Sequence, residues 1–411
     1  MNILFLSISY IPHLSQHSIS LDLIRELKKR GHSIYVIGSN ERRNKQPTYL
    51  REENGCNVLR VRIGNNKNTN VIEKGISNVL LPYQYILAIK KYFKDVKFDL
   101  VLYPTPPVTQ VTTVEYVKKR DGAKSYLLLK DIFPQNAVDI GMMKKSGPKA
   151  ILYKMFRKKE EKLYRISDYI GCMSLANVDY VIKHNPGIDT SKVHINPNSV
   201  EKTPSTSLSI DEKNQIREKY NIPKDATTFI YGGNLGRPQG IPFLIECLRA
   251  NAGKNDRYFV ICGKGTDYPK LKAYVDEEKP SNVLLLNGLA KDEYEKFVKA
   301  FDVGLIFLDH RFTIPNFPSR LLSYMQSSMP VIACTDKNTD VGKVIVDGGF
   351  GWWCESNSIE DFTRVIDSAI GENLQIMGEN GFNYLNEHFL SEQSCDIILR
   401  HVDKEQELSY T

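Results

Sequence analysis

Short apolar runs alternate along the chain with segments in which apolar residues recur at helical spacing. The first run, residues 2–7, is followed by Leu23, Ile24 and Leu27 on one helical face and by a second run at 34–38. Runs of this length between turn residues favour buried strands, and the intervening periodicity favours helices. Further strands are expected at 59–63, 100–103, 126–129, 169–173 and 193–196, and helices at 83–94 and 109–120.

A second series of the same kind begins after residues 197–212, whose Ser, Thr and Pro content is typical of a linker. Its strands are expected at 227–231, 258–262, 283–286, 303–308 and 331–334, with apolar segments at 344–348 and 351–354 extending the sheet. Its helices are expected at 242–250, 359–370, 374–388 and 391–401. The alternation predicts an α/β chain with two doubly wound, parallel-sheet domains, at 1–200 and 201–388, and a final segment at 389–411.

Successive strands of the second domain end in glycine or polar residues. Because the carboxyl ends of parallel strands share one sheet edge, these loops are expected close together. The first is GGNLGRPQG at 232–240, where a backbone without side chains can approach a phosphate and Arg237 supplies a cation. By itself, such a turn is a weak signal.

Residues 313–334 combine a loop, a helix start and a short buried strand. Pro318 and Ser319 are expected to open the helix, because proline at the first helical position loses no hydrogen bond. The free backbone N–H groups of such an end favour an anion, for example a nucleotide diphosphate. The alternative is an ordinary connection between two strands.

Two candidates for acid–base chemistry follow strands of the first domain. Asp131 stands in KDIFPQ, directly after the expected strand 126–129, and His13 lies in the loop after the first strand, near His17. Open α/β sheets bind ligands at these strand ends. Asp131 could instead cap the next turn, and His13 could be an ordinary surface histidine.

The bulk composition narrows the class of protein. A chain of 411 residues is long enough for two domains. Its start lacks the basic and apolar regions of a signal peptide, and no window approaches ~18 uninterrupted apolar residues. The seven scattered cysteines indicate reduced thiols. We therefore expect a cytoplasmic protein without a disulfide framework or a zinc site.

Charge is distributed unevenly along the chain. Residues 1–200 hold 32 Lys and Arg against 17 Asp and Glu, whereas the remainder holds 23 against 31. A basic first half favours contact with an anionic partner. Residues 144–165 interleave basic and apolar side chains, as in helices that lie on anionic lipid, although a solvated helix with an ordinary core face is the alternative. No nucleic-acid motif is found, so no nucleic acid is expected as a partner.

Four segments resemble glycosyltransferase family 4, which has the GT-B fold. They are LIRELKKRGHSIYVIG, YGGNLGRPQG, FPSRLLSYMQSSMPVIAC and VIVDGGFGWWCESNSIEDF, and the resemblance extends over nearly the whole chain. Within the family, KDIFPQ and GNLGRPQG are most similar to bacterial capsule and O-antigen transferases, including those that add N-acetyl-L-fucosamine. The resemblance implies two Rossmann-like domains facing a cleft, with the C-terminal helix at 389–411 crossing back to the first domain.

The resemblance also implies a retaining hexosyl transfer from a nucleotide sugar, with a UDP-sugar favoured, and without a cofactor or metal. The acceptor would be a polyprenyl-diphosphate-linked saccharide at the inner face of the cell membrane, which the protein would contact peripherally. Asp131 would orient or deprotonate the acceptor hydroxyl, with His13 as the alternative. The donor would be bound by Gly233, Asn234, Arg237, Gln239, Gly263, Lys264, Asn287, Gly288, Asn316, Phe317, Pro318, Ser319, Arg320 and Ser323.

The phosphate turn departs from the family pattern in its cations. Most members carry an Arg and a Lys where Asn234 and Gln239 stand. Arg237 is therefore expected to act in their place, helped by Lys264 or Arg320.

The segment at 313–334 departs from the family pattern in its carboxylates. Most members carry two Glu where Pro315 and Ser323 stand. The Ser323 hydroxyl would bind a ribose less strongly than a carboxylate, by roughly 1 kcal/mol. The loss of both carboxylates fits a deoxy or acetamido sugar and equally a weakened enzyme. The alternative function is a nucleotide-sugar epimerase or a catalytically weak partner subunit of the same fold.

Overall fold

The structure is a computed structural model that describes residues 1–9, 11, 13–66, 69–148, 150–204 and 208–408. The chain divides into two compact units, Met1–Glu201 together with the segment from Leu390, and Lys202–Phe389. In each unit, the described residues form one β-sheet with helices packed on it. The predicted α/β fold class is therefore confirmed. Lys149, in the basic segment 144–165, lies outside the described residues.

The first unit is built on an eight-stranded sheet. Its elements in chain order are β1 (Asn2–Leu6), α1 (Ile19–Lys29), β2 (Ser33–Glu41), β3 (Tyr49–Glu53), β4 (Cys56–Ile63), α2 (Val71–Tyr92), β5 (Leu100–Thr105), α3 (Val111–Asp121), β6 (Lys124–Leu129), α4 (Gln135–Asp139), α5 (Ala150–Ile166), β7 (Tyr169–Cys172), α6 (Leu175–His184) and β8 (Val193–Ile195). The strand order is β3-β4-β2-β1-β5-β6-β7-β8, and among the described strands β3 alone is antiparallel to its neighbour. Right-handed crossovers that run in opposite directions along a sheet place their helices on opposite faces. Helices α2, α3 and α5 therefore share one face, and α1 covers the other.

The second unit is built on a six-stranded, fully parallel sheet in the described residues. Its elements are α7 (Ile210–Lys219), β9 (Thr227–Asn234), α8 (Ile241–Ala250), β10 (Arg257–Lys264), α9 (Tyr268–Glu278), β11 (Val283–Leu286), α10 (Lys291–Phe297), β12 (Val303–Phe307), α11 (Arg320–Gln326), β13 (Val331–Thr335), α12 (Val341–Asp347), β14 (Gly351–Glu355), α13 (Ile359–Ile370) and α14 (Leu374–His388). The strand order is β11-β10-β9-β12-β13-β14. The carboxyl ends of these strands therefore share one edge, as the sequence predicts.

The C-terminal helix α15 (Ser391–Leu408) belongs to the first unit. The Ser394 hydroxyl lies 2.6 Å from the Asn196 side-chain oxygen, and Asn196 donates at 2.8 Å to the Tyr126 hydroxyl. That hydroxyl also lies 2.7 Å from Nε2 of His194, whose ring stacks on His401 of α15 at 3.6 Å between centroids. Burial, and then the neighbouring His401, lower the pKa of His194 to about 4. A polar contact to Asn196 and a ring stack on His194 thus join α15 to the end of β8.

Three predicted elements differ from the structure. Helix α2 begins at Val71 rather than Tyr83, because Asn70 caps it and Pro82 is accommodated inside it. The segment 344–348 is wrong as part of the sheet, because it lies in helix α12, where Val341 and Ile345 are buried. Helix α11 begins at Arg320, two residues later than predicted.

Strands β9 and β10 stay paired to their last residues, Asn234 and Lys264. A Cβ atom added at Gly263 would lie 2.0 Å from the backbone oxygen of Gly233. The obstructing atom belongs to the backbone, so it cannot move aside as a side chain could. Glycine at 263 is therefore what lets these two strand ends meet.

Protonation of His194 should loosen helix α15. The pKa of His194 lies below the ordinary value of 6.5, so the fold favours the neutral ring. Its contribution to stability is complete above pH 6.5 and is lost as the pH falls toward about 4. Amide hydrogen exchange in α15 should accelerate over this range more steeply in the wild type than in His194→Gln. An identical pH dependence in both proteins would contradict the prediction.

Gly263→Ala should destabilise the second unit by about 1–3 kcal/mol, because the added methyl group meets fixed backbone. The two tryptophans of the chain, Trp352 and Trp353, both lie in β14, so their fluorescence follows the melting of this unit. The control is Gly371→Ala, where a Cβ would meet one backbone oxygen at 3.8 Å. The prediction is wrong if the two variants melt at the same temperature.

Candidate active site

The turn that follows β9 is held by backbone contacts to its neighbours. The Tyr231 hydroxyl donates to the Asn234 carbonyl at 2.7 Å. The Leu235 amide donates to the Lys264 carbonyl at 2.8 Å, and the Leu235 carbonyl accepts from the Asp267 amide at 2.9 Å. The turn at 232–240 is thus fixed to the carboxyl end of β10 and to the start of α9.

Asn234 and Gln239 hold the shape of this turn. Oε1 of Gln239 accepts from Nδ2 of Asn234 at 2.8 Å and from the Gly236 amide at 3.2 Å. Gly240 then takes a left-handed conformation with φ of 58° and leads into α8. Both amide side chains therefore make contacts inside the turn, which gives them a positioning role.

Three cations surround the turn. Arg237 and Lys264 are exposed, and in the described part of the chain neither side chain forms a hydrogen bond or an ion pair. The Arg320 guanidinium lies over the Tyr231 ring at 4.2 Å and borders Gly233, where an added Cβ would be 3.1 Å from Nη2. Its Nη1 is buried without a hydrogen-bond partner among the described residues. Cations without carboxylate partners make this strand edge a site for an anion.

The residues that follow β11 add little to the site beyond their contact with Lys264. Asn287 is exposed directly after β11, and Gly288 has φ of 68°. The side-chain stem of Lys264 lies against Gly288, with Cε 3.0 Å from the position of an added Cβ. Gly288 therefore leaves room for the lysine stem, and the Asn287 side chain forms no hydrogen bond to the turn among the described residues.

Two tyrosines under the turn were not predicted from the sequence. The Tyr294 hydroxyl lies 1.7 Å from the position that a Cβ on Gly232 would occupy. The Tyr324 hydroxyl accepts from the Gly232 amide at 3.2 Å and lies 3.1 Å from the carbonyl oxygens of Ile230 and Leu305. Burial raises the pKa of Tyr324 to about 12, so it is neutral at physiological pH. Its position among the apolar residues of α11 gave no signal beyond that of an ordinary core residue.

Asp309 follows β12 and ties that strand end to the turn. Its amide donates to the Pro238 carbonyl at 2.9 Å. Its carboxylate accepts from Nε of Arg311 at 2.8 Å and from Nη2 at 2.6 Å. Burial alone would raise the pKa of Asp309, but the bonds from Arg311 outweigh it and the pKa is lowered. Asp309 is therefore an ionised, paired carboxylate.

Asp336 follows β13 and fixes the segment that contains Asn316. The fully buried carboxylate accepts from the amides of Asn338 and Thr339 at 2.9 and 3.0 Å and from the Thr339 hydroxyl at 3.1 Å. The same hydroxyl accepts from the Asn316 amide at 2.9 Å. Burial raises the pKa of Asp336 to about 6. An Asp directly after an apolar run, in VIACTD, was the available signal, as it was for Asp131.

The predicted helix start at Pro318 and Ser319 offers fewer free donors than expected. Helix α11 has seven residues, and the amides of Leu321 and Leu322 already donate to the Pro318 and Ser319 carbonyls, each at 3.2 Å. The Phe317 ring is buried against Phe389, so only its backbone remains for a ligand. Ser323 is half-buried. The anion site therefore depends more on the cations than on this helix end.

In the first unit, Asp131 directly follows the buried strand β6. Its Oδ2 accepts from Nδ2 of Asn136 at 2.7 Å, and its carbonyl accepts from the Thr105 hydroxyl at 3.3 Å. Burial raises the pKa of Asp131 to about 6, although the bonds from Ile132 and Asn136 oppose this. The preceding Lys130, which was not predicted as a site residue, has its pKa lowered by burial to about 7. Two adjacent side chains therefore titrate near neutrality.

The turn that carries Asp131 packs on helix α5. The ring of Phe133 meets that of Phe156 edge to face, with 5.0 Å between centroids. Phe156 belongs to the basic, amphipathic segment at 144–165. This aromatic pair therefore connects the turn of the candidate acid–base group to the basic segment, for which the sequence leaves membrane contact and a solvated face as alternatives.

His13 lies at a different part of the first unit. It is exposed, with Nδ1 3.5 Å from Oε1 of Glu53, which ends β3. Strand β3 is five positions from β6 in the sheet, a separation on the order of 20 Å at the usual strand spacing. His17, also exposed, lies 3.2 Å from the Arg25 guanidinium. The structure thus does not bring His13 or His17 to Asp131.

The sequence matches a family model over most of the second unit. Residues 212–383 match the family model described as Glycosyl transferases group 1. The match lies within the second unit and contains both the turn at 232–240 and the segment 313–334. A probable glycosyltransferase, WbjE of Pseudomonas aeruginosa, is 24% identical over 316 residues, which are 76% of each chain.

Solved structures are similar over nearly the whole chain. Sucrose-phosphate synthase from Thermosynechococcus elongatus has a TM-score of 0.77 at 12% identity and covers 100% of both chains. Anabaena HepE in complex with UDP and glucose has a TM-score of 0.68 at 14% identity, over 98% of this chain and 100% of that one. At these identities the likeness shows the fold, and the predicted GT-B fold is confirmed. The group 1 domain, the relative and the fold together support a GT-B glycosyltransferase.

Proposed function

We propose that this protein transfers a deoxy or N-acetylamino sugar, with retention of configuration, from a UDP-sugar to a lipid-linked saccharide in capsule or O-antigen synthesis. The observation that carries the proposal is the group of three cations around the turn at 232–240. HepE, of the same fold, was solved with UDP and glucose, which supports a nucleotide-sugar donor. The choice of sugar and acceptor rests on the resemblance of KDIFPQ and GNLGRPQG to capsule and O-antigen transferases.

The turn is suited to stabilise a departing nucleoside diphosphate. Negative charge develops on the leaving group as the glycosidic bond breaks, and fixed cations lower the energy of that state. Arg237 and Lys264 are available for this contact, and Arg320 presents the unpaired Nη1. Asn234 and Gln239 would then keep the turn in shape for the phosphates.

Asp131 is proposed to accept the proton of the acceptor hydroxyl. A pKa of about 6 keeps the carboxylate mostly ionised at neutral pH and still basic enough to take up a proton. Asn136, which donates to Oδ2, would orient the group. Lys130, with a pKa of about 7, could return a proton near the same strand end.

The donor sugar is proposed to be recognised chiefly by backbone groups at 316–319. Pro315 and Ser323 stand where most family members carry carboxylates, so no charged acceptor is supplied at these two positions. The Asn316 amide is already fixed by Thr339, which Asp336 holds in turn. A rigid segment without carboxylates suits a sugar with fewer hydroxyl groups.

Membrane contact is proposed for the segment 144–165. Its exposed apolar side chains include Ile151, Leu152 and Met155, and the lysines at 154 and 158 are also exposed. In the described part of the chain, no helix combines the length and the hydrophobicity needed to span a bilayer. Contact would therefore be peripheral, through basic side chains on anionic lipid and apolar side chains at the interface.

Arg237→Ala should weaken UDP binding by about 10- to 100-fold, because one charge-assisted contact contributes roughly 1.5–3 kcal/mol. The measurement is calorimetric titration with UDP, preceded by a thermal-shift panel of UDP-, GDP- and CDP-sugars. The control is Arg364→Ala on α13, an exposed arginine paired with Asp361 at 2.8 Å. Equal affinities in the two variants would remove Arg237 from the site, and a wild type that binds no nucleotide would favour the partner-subunit alternative.

Asp131→Asn should lower the transfer rate by about 10²- to 10⁴-fold, the usual contribution of a general base. In the wild type, kcat/KM should rise with pH and level off above the pKa of about 6, and the variant should lose this rise. The control is Asp95→Asn, a highly exposed position of the same unit. Full activity of Asp131→Asn would mean that Asp131 only caps its turn.

A further inference from the structure

The outer face of helix α2 is apolar and free of acidic residues. Among its described residues, the exposed non-glycine side chains are three lysines, Lys74, Lys90 and Lys91, and five large apolar residues. The apolar residues and their exposed fractions are Ile76 (56%), Val79 (50%), Leu80 (47%), Tyr83 (56%) and Leu87 (66%). A helix that only packed on its sheet would carry polar side chains at these positions.

These five apolar residues form one stripe, which we call the α2 stripe. Their spacing of three, four, seven and eleven residues from Ile76 places them within about 100° of the helix circumference. The opposite side of the helix is already used by the fold, since Leu81, Tyr85 and Ile89 are fully buried. The α2 stripe is therefore a second apolar surface, beyond the one that attaches the helix to the sheet.

A groove of about 910 Å³ adjoins the start of the stripe. It lies between the end of β4 and the first half of α2, with Ile63, Ile76 and Leu80 as its apolar wall. Two polar atoms of this groove, Oγ of Ser77 and Oε1 of Gln84, are buried without a partner among the described residues. Ser77 is only 2% exposed, so its unused hydroxyl indicates a ligand group that the groove can receive.

Cations border the same groove. Arg42 pairs with Glu73 at 3.1 Å, and Glu73 also accepts from Asn65 at 2.7 Å, so this acidic side chain is already neutralised. The guanidinium of Arg62 is exposed and has no hydrogen bond or ion pair within the described residues. An apolar wall beside an available arginine fits a molecule that is apolar at one end and anionic at the other.

We propose that the α2 stripe and this groove form a surface for anionic phospholipid. Arg62 would hold a lipid phosphate, the Ser77 hydroxyl would bond a head-group oxygen, and the stripe would enter the acyl region. A second copy of the chain is a poorer occupant, because pairing two such faces would bring the lysines of each copy together. Helices α2, α3 and α5 cover the same face of the sheet, so this surface would extend the membrane contact proposed for 144–165. The choice of an anionic lipid rests on that proposed contact.

Environment-sensitive labels can test which surface meets the bilayer. All seven native cysteines are buried, so a label on full-length Leu87→Cys would report that position, and Ile376→Cys, 55% exposed in the second unit, is the matched control. Vesicles of phosphatidylcholine with phosphatidylglycerol should shift the emission of the label at 87 to the blue, and vesicles of phosphatidylcholine alone should do so much less. Equal shifts at 87 and 376, or none at 87, would overturn the proposal.

Substitutions give a quantitative check by vesicle sedimentation. Val79→Ser combined with Leu87→Ser should weaken binding by about tenfold or more, and Arg62→Gln by about fivefold, because apolar burial and basic charge both add to membrane affinity. Ile376→Ser should bind as the wild type does. Loss of a concentration-dependent dimer in the double variant, with unchanged vesicle binding, would assign the stripe to a second copy instead. Because no donor is present, failure here would leave UDP binding, and the proposed transfer, unaffected.

Discussion

The arrangement of the second unit depends on the close approach of two backbones at the carboxyl ends of β9 and β10. With no Cβ at 263, the strands pair as far as Asn234 and Lys264, and the turn at 232–240 lies directly on the sheet edge. This places Arg237, Lys264 and Arg320 around one point. The strand register brings the turn that carries Arg237 to Lys264, and Arg320 joins them from the first residue of helix α11.

The charged groups of the two candidate sites differ in their exposure to water. Around the turn of the second unit, Arg237 and Lys264 are exposed to water and form no ion pair with a carboxylate of the described residues. At the end of β6, burial instead moves Asp131 and Lys130 toward neutrality, so that small changes of environment alter their protonation. A fixed charge suits the binding of a phosphate, and a movable proton suits the activation of a hydroxyl.

Periodicity was sufficient to predict every described strand except β3, together with their order of appearance and the sheet edge that carries the glycine turn, because those features follow from local alternation. Strand β3 consists mostly of polar residues, so it gave no such signal. It failed where tertiary packing decides, as at Pro82 inside α2 and at 344–348, whose apolar run is one face of a short helix. In the site, the turn and Asp131 could be predicted from their places after apolar runs. Asp336 carried the same signal but was not singled out. Tyr294 and Lys130 could not be predicted, because their significance comes from burial and from contacts with residues distant in sequence.

The position of α15 determines which of the two units can finish folding first during synthesis. The second unit is one continuous stretch, Lys202–Phe389, whereas the first unit needs both the beginning and the end of the chain. The contacts of Asn196 and His194 with α15 cannot form until Ser394 and His401 have left the ribosome. The half that carries the proposed nucleotide site can thus finish folding while the half that would meet the membrane still lacks α15, so the latter completes its assembly only after α15 has been synthesised.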